Sequence, residues 1–173
     1  MTLPEGVREH RAAAAERAVA CAVLTVSDSR TLATDESGRL AVERLVAAGF
    51  TVVVRELLPN DEAALTARVA ALAADAAVDV VLITGGTGLG TRDRSVEAVR
   101  PLLTKELPGF GELFRQLSFQ EQIGPAAMLT RALAGAINST FVVVLPGSKA
   151  AVALASDRLL VPELRHAVRE LRR

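Results

Sequence analysis

The sequence predicts a single α/β domain of three layers, with a doubly wound, mostly parallel sheet and an antiparallel hairpin at one edge. Three observations predict it. Apolar runs of strand length recur at residues 18–26, 51–57, 78–84 and 141–145, nearly continuous rather than alternating, as expected where both faces of a parallel sheet are covered. Helical periodicities lie between these runs, giving the strand–helix alternation of βαβ units. The loops after the runs read Ser27-Asp28-Ser29-Arg30, Pro59-Asn60-Asp61-Glu62, Gly85-Gly86-Thr87-Gly88 and Pro146-Gly147-Ser148-Lys149. All are small or polar, and they fall at the carboxyl ends of the strands, where open α/β sheets bind ligands.

Residues 1–17 form an Ala-rich, charged extension with good helix propensity but no wide apolar stripe, peripheral to the domain at residues 18–173. Ala41, Leu45 and Ala48 mark the first helix of the domain, closed by Gly49, and Leu65, Val69 and Leu72 mark the second. Val96, Val99 and Leu103 indicate a third. Phe110, Leu113, Phe114 and Leu117 give a fourth its apolar face, entered through Pro108 and Gly109. A shorter strand at residues 131–137 and a turn at Asn138-Ser139 make a hairpin with the 141–145 run. A last helical region follows Ser148, is interrupted by Pro162, and continues with Leu164, Val168 and Leu171 on one face.

A chain of 173 residues fits one compact domain and can bury a sizeable core without disulfides or a structural metal. Half of its residues are apolar and mean hydropathy is positive, so identical subunits are expected to cover part of the surface as a homo-oligomer. Formal charge is zero, Trp and Tyr are absent, and the Phe residues are not interleaved with basic clusters. Nucleic acid is therefore not an expected partner. The lone Cys21 sits in an apolar run and reads as a buried structural thiol. Basic residues before that run imitate a secretory signal, but Glu5, Glu9 and Glu16 make the flank acidic as well, and the run is too short to span a bilayer. A cytoplasmic protein without membrane attachment is expected. His10 and His166 are far apart in a chain with one Cys, which supports neither a His/Cys metal site nor a Ser–His–Asp triad.

Chemistry concentrates in the loops. Gly85, Gly86, Thr87 and Gly88 lie between an apolar strand and a helix, where backbone N–H groups can approach an anion. On local sequence alone a turn that needs glycine only for its geometry fits as well. The spacing matches neither a P-loop nor a G-x-G-x-x-G dinucleotide fingerprint. Asp93 and Asp61 each precede a helix, where a carboxylate either caps backbone donors or faces a ligand. Together they could hold Mg²⁺ or orient a nucleophile beside a polyphosphate. Ser27, Asp28 and Asp35 offer hydroxyl and carboxylate groups to a heterocycle, with turn and capping chemistry as the alternative. Pro146, Gly147, Ser148 and Lys149 form a second helix start, with Lys149 as a compact charge for phosphate.

Read in order, Thr25-Val-Ser-Asp28-Ser-Arg30, Asp35-Glu-Ser-Gly38, Leu82-Ile-Thr-Gly-Gly-Thr-Gly88, Pro108-Gly-Phe-Gly-Glu-Leu-Phe-Arg115, Thr130-Arg-Ala-Leu-Ala-Gly135 and Leu145-Pro-Gly-Ser-Lys149 resemble the MoaB/Mog family of molybdenum-cofactor biosynthesis proteins. The likeness runs over about residues 18–160 and is nearer the MoaB branch. The resemblance implies a molybdopterin-binding fold and transfer of AMP from ATP to molybdopterin with Mg²⁺, releasing pyrophosphate. It implies a hexamer in preference to a trimer, and a molybdenum-insertion protein as a downstream partner. It puts phosphates on the loops at Gly85, Gly86, Thr87, Gly88 and at Pro146, Gly147, Ser148, Lys149. It lays Ser27, Asp28 and Asp35 along pterin or nucleotide, and makes Asp93 and Asp61 the catalytic carboxylates, Asp61 also a Mg²⁺ ligand. In the family's pattern Asp follows Pro directly in the second loop. Here Asn60 follows Pro59, and the carboxylate is recovered at Asp61 by a shift of one residue. With Asn60 in the catalytic place, the chain would bind pterin as a carrier or assembly protein without adenylating it.

Overall fold

A computed structural model describes residue 5 and residues 18–173, so the rest of the extension, His10 included, lies outside the described residues. Six strands form one sheet in the order β2-β1-β3-β6-β5-β4. They are β1 (Ala20–Val26), β2 (Thr51–Leu58), β3 (Val80–Thr84), β4 (Lys105–Glu106), β5 (Leu133–Ile137) and β6 (Thr140–Leu145). The pairs β1/β2, β1/β3 and β3/β6 are parallel, whereas β5 runs antiparallel to both β6 and β4. The predicted class, a mostly parallel doubly wound sheet with an antiparallel edge, is the one observed.

The helices are α1 (Glu36–Ala47), α2 (Glu62–Ala74), α3 (Ser95–Val99), α4 (Pro108–Ser118), α5 (Lys149–Ala155) and α6 (Val161–Leu171). Alternation along the strands sorts the core into two layers. Cys21, Val23, Val80, Leu82, Phe141, Val143 and Leu145 face the layer of α1, α4, α5 and α6, which contributes Leu45, Phe114, Val152 and Leu164. Ala22, Leu24, Val26, Val81, Ile83, Val142 and Val144 face α2 and α3, with Leu65, Val69, Val96 and Val99. Burial on both faces is the reason the inner strands read as unbroken apolar runs. Cys21 is buried as expected, and burial pushes its thiol up to about 12, with the Asp79 carboxylate adding to the rise.

Three elements differ from expectation. The strand β2 was expected to be covered on both faces, but it lies at the sheet edge and is only partly buried, with Val53 48% exposed. The strand β4 has two residues, both charged and exposed, too short for any period and suited to an unpaired edge. The last helical region is interrupted just before Pro162, not at it: a π-helical turn (Ser156–Leu160) separates α5 from α6 and leaves Pro162 in the first turn of α6.

The register brings the carboxyl ends of the parallel strands level. Thr25 pairs with Thr84, Thr84 with Leu145, and Val26 with Leu58. The loops that follow β1, β2, β3 and β6 therefore emerge side by side.

Candidate functional site

Those loops enclose a cleft of about 630 Å³. Ser27, Asp28, Gly85, Gly86, Thr87, Gly88, Asp93, Pro146, Gly147 and Ser148 line it, joined by Val26, Ser29, Arg30 and Asn60. Asp35, Asp61 and Lys149 do not.

The glycine loop starts in backbone that side chains rarely adopt, with φ of 101° at Gly85 and 63° at Gly86. A Cβ on Gly85 would stand 2.3 Å from the Val26 carbonyl oxygen, and one on Gly147 would stand 3.1 Å from the Gly85 Cα. The two loops thus pack backbone against backbone, which only glycine allows. Three of their carbonyl oxygens are taken up from the protein side, and that of Gly147 by Arg30 on the cleft wall. Ser95 donates from Oγ to Gly85 O at 2.8 Å and from its N–H to Gly86 O at 2.9 Å. Thr84 Oγ1 donates to Pro146 O at 3.0 Å, and Arg30 Nη2 to Gly147 O at 3.1 Å. Across a planar trans peptide, C=O and N–H point in opposite directions. Holding the carbonyls of Gly85, Gly86 and Pro146 inward turns the N–H groups of Gly86, Thr87 and Gly147 the other way, as an anion site requires.

Asp28 on the cleft wall accepts from the Asn60 N–H at 3.0 Å and from Asn60 Nδ2 at 2.9 Å, and pairs with Arg92 at 2.8 Å. The two Asn60 bonds, with Arg92 a smaller contributor, hold its carboxyl below the usual carboxylate range. Ser27 Oγ accepts from the N–H groups of Ser29 and Arg30, each at 3.3 Å, and shapes its own turn. Asp93 curls into its loop, accepting from the Gly90 N–H at 3.1 Å.

The three expected residues outside the cleft each have a local partner. Asp35 is buried as the N-cap of α1, accepting from Gly38 N–H at 2.9 Å and Thr25 Oγ1 at 2.8 Å. It supports the loops from beneath and does not lie along the cleft. Asp61 is the N-cap of α2, its Oδ1 accepting from the Ala64 N–H at 2.8 Å. Asp61 is thus outside the cleft lining, and Asn60 is the residue of this loop that lines it. Lys149 pairs with Glu36 at 3.3 Å on the exposed rim. The sequence reading missed Arg30, Ser95 and Arg131 as site residues. Arg30 and Arg131 stand inside the loop motifs quoted above, but their roles depend on partners far along the chain.

Among the described residues, no three His, Cys, Asp or Glu side chains converge as a metal cluster. A Mg²⁺ held by one or two carboxylates and by substrate phosphates does not need one. Asp28 and Asp93, both on the cleft wall, fit that mode.

A doubly wound sheet with two glycine-bearing loops at its carboxyl edge, Asp28 and Asp93 beside them, defines an α/β protein of the class that receives ligands beyond the carboxyl ends of its strands. The family model described as "Probable molybdopterin binding domain" matches residues 22–166. Molybdenum cofactor biosynthesis protein B of Bacillus subtilis (strain 168) is 48% identical over 167 residues, 96% of this chain and 98% of that protein. A crystal structure of a molybdenum cofactor biosynthesis protein B superposes with a TM-score of 0.88 at 46% identity, over 90% of this chain and 97% of the other. The tungsten cofactor synthesizing protein MoaB of Pyrococcus furiosus gives 0.80 at 36% identity, over 91% and 99%. The chain belongs to the MoaB/Mog family of molybdenum-cofactor biosynthesis proteins.

Proposed function

We propose that this protein is a molybdopterin adenylyltransferase: it binds molybdopterin and ATP in the cleft and joins AMP to the pterin's terminal phosphate, releasing pyrophosphate. The observation that supports this reading is the pair of loops whose Gly85, Gly86 and Pro146 carbonyls are held inward, so that the N–H groups of Gly86, Thr87 and Gly147 share one cleft with Asp28 and Asp93. In the reaction an oxygen of the pterin phosphate forms a bond to the ATP α-phosphorus, and the bond from that phosphorus to the bridging oxygen breaks. The electron pair leaves with pyrophosphate. Gly85, Gly86, Thr87 and Gly88 cradle one phosphate group and Pro146, Gly147 and Ser148 the other, while Ser27 and Asp28 contact the heterocycle or ribose. Asp93 and Asp28 would hold Mg²⁺, which would supply charge neutralisation at the phosphates. The protein's share is positioning and electrostatic stabilisation.

A second reading, a molybdopterin carrier or assembly protein that performs no transfer, is favoured by Asn60 standing in the cleft in place of a carboxylate. Purified full-length chain mixed with molybdopterin, ATP and Mg²⁺ decides between them. Adenylated molybdopterin is the expected product. Pterin binding without any AMP adduct overturns the transferase and leaves the carrier, and absence of binding overturns both.

The working form proposed is a homo-oligomer, a hexamer in preference to a trimer. Exposed Phe119, Ile123, Met128 and Leu129, which follow α4 closely in the chain, support an apolar contact between copies. A molybdenum-insertion protein is the partner proposed to receive the product. The pathway is molybdenum's in preference to tungsten's, supported by the names of the more similar relatives. No helix among the described residues is long and apolar enough to cross a membrane, and the reaction is assigned to the cytoplasm.

A further inference from the structure

We propose that Arg131 is a positioning residue of the cleft: by holding the carbonyls of Thr87 and Asp93 from behind, it fixes the glycine loop in the form that turns the Gly88 N–H toward a bound phosphate. The proposal rests on the phosphate-binding reading above.

Arg131 stands two residues before β5, far along the chain from the loop it serves. Its Nε donates to Thr87 O at 3.0 Å, its Nη2 to Asp93 O at 2.8 Å, and its Nη1 to Glu97 Oε1 at 2.5 Å. The first two bonds join the two ends of the segment from Thr87 to Asp93. Bonds within that segment close only its second half, from Asp93 N–H to Gly90 O at 3.0 Å and from Gly90 N–H to Asp93 Oδ2 at 3.1 Å. Leu89, between them, is 71% exposed and buries nothing that would hold the loop. Arg131 thus ties Thr87 to Asp93, while the Arg92–Asp28 pair anchors the same segment to the loop after β1.

The peptide that carries Thr87 O also carries the Gly88 N–H, pointing the opposite way. Arg131 therefore does for Gly88 what Ser95 does for Gly86 and Thr87. Glu97, on α3, holds the guanidinium in place from its third side. A guanidinium presents donors in several fixed directions at once, whereas an ammonium is a point charge on a flexible stem. Lysine would keep the charge and lose the two-ended hold.

The test uses the full-length protein, inorganic pyrophosphate as the probe, and the variants Arg131→Met, Arg131→Lys and Glu97→Gln. Calorimetry reads affinity, and hydrogen exchange reads the amides of residues 86–93 against those of the inner strands. Arg131→Met is expected to weaken pyrophosphate binding about tenfold or more, the scale of one well-placed donor to an anion. Exchange should quicken in the loop and stay unchanged in β1, β3 and β6. Arg131→Lys should lose nearly as much affinity as Arg131→Met, and Glu97→Gln, which keeps an acceptor for Nη1, should lose less than either. Full affinity in Arg131→Lys would overturn positioning in favour of charge alone. Full affinity and unchanged loop exchange in Arg131→Met would overturn any role in the cleft. If Arg131→Met does not fold, Arg131→Lys and Glu97→Gln carry the same comparison. A wild-type protein that binds no pyrophosphate overturns the phosphate reading and this proposal with it, an outcome visible before any variant is made.

Discussion

Asn60 satisfies Asp28 from two sides, its backbone N–H reaching Oδ1 at 3.0 Å and its side-chain Nδ2 reaching Oδ2 at 2.9 Å. The same amide leaves its own Oδ1 buried and unbonded, close to Gly86. An aspartate at this position would lose the Nδ2 donor and set a second carboxylate against Asp28. Asn60→Asp is therefore expected to raise the Asp28 pKa, through the lost bond and the added like charge. It should also lower the Mg²⁺ concentration that half-saturates adenylyl transfer by about threefold or more, since a second oxygen ligand becomes available. A Mg²⁺ titration of adduct formation and a carboxyl NMR titration check the two effects. An unchanged Mg²⁺ requirement would show that residue 60 does not meet the metal.

Asp35 is the buried charge beneath the site. Burial pushes its carboxyl up, but the bonds from Gly38 N–H, Thr25, Arg55 and Ser37 outweigh burial and hold it below the usual range. With the folded pKa below the unfolded one, its contribution is complete above the unfolded value and is lost as pH falls through the folded one. Asp35→Asn should cost about 3 kcal/mol near neutral pH, because Arg55 and Arg30 then face an uncharged amide. The gap from wild type should narrow below about pH 4, where carboxylates protonate. Urea unfolding at neutral and acid pH measures it. A gap of equal size at both would mean that the ionised carboxylate is not its source.

The close approach of the glycine loop to the end of β1 has its own test. In Gly85→Ala the new methyl would meet the Val26 carbonyl oxygen at 2.3 Å on a backbone with φ of 101°. No flexible side chain is there to yield. A loss of about 2–4 kcal/mol is expected from strain and overpacking, with ligand binding lost alongside. Gly109→Ala, in the first turn of α4 with nothing within 4 Å, should instead raise the melting temperature slightly, as alanine favours helix. Thermal melts of the two variants should move in opposite directions.

Much of this arrangement was legible from residue pattern alone. The inner strands were visible because both of their faces are buried, and the hairpin at Asn138 because a turn residue there adopts positive φ, 53° in the structure. The loops at Gly85 and Pro146 were visible because glycine and proline punctuate strand ends. The pattern could not show which way a carboxylate turns. Asp35, Asp61 and Asp93 each stand near a helix start, and in that place capping and ligand contact carry the same local signature. Two of them cap their helices away from the cleft wall. Nor could pattern show Arg131, whose partners lie 34 to 44 residues away, or β4, whose two charged residues have no period to read.

Asp61 stands off the cleft wall, while position 60, where the family's pattern has Asp, stands on it, and this gives a comparison of two alanine variants. Asp61 Oδ1 accepts from Ala64 N–H at 2.8 Å and is absent from the cleft wall, whereas Asp93 is on it. Asp61→Ala should cost about 1 kcal/mol as a lost N-cap, lowering the melting temperature by about 2–4 °C, with adenylyl transfer per folded molecule unchanged. Asp93→Ala should leave stability within about 1 kcal/mol, since it gives up one loop bond from Gly90. Its rate of transfer should fall at least about a hundredfold, as expected when a group that holds the reacting charge is removed. Single-turnover rates with molybdopterin and ATP, normalised to folded protein, separate the two effects. If Asp61→Ala abolishes transfer while Asp93→Ala does not, the catalytic carboxylate lies in the second loop, and the α2 N-cap must open when substrate binds.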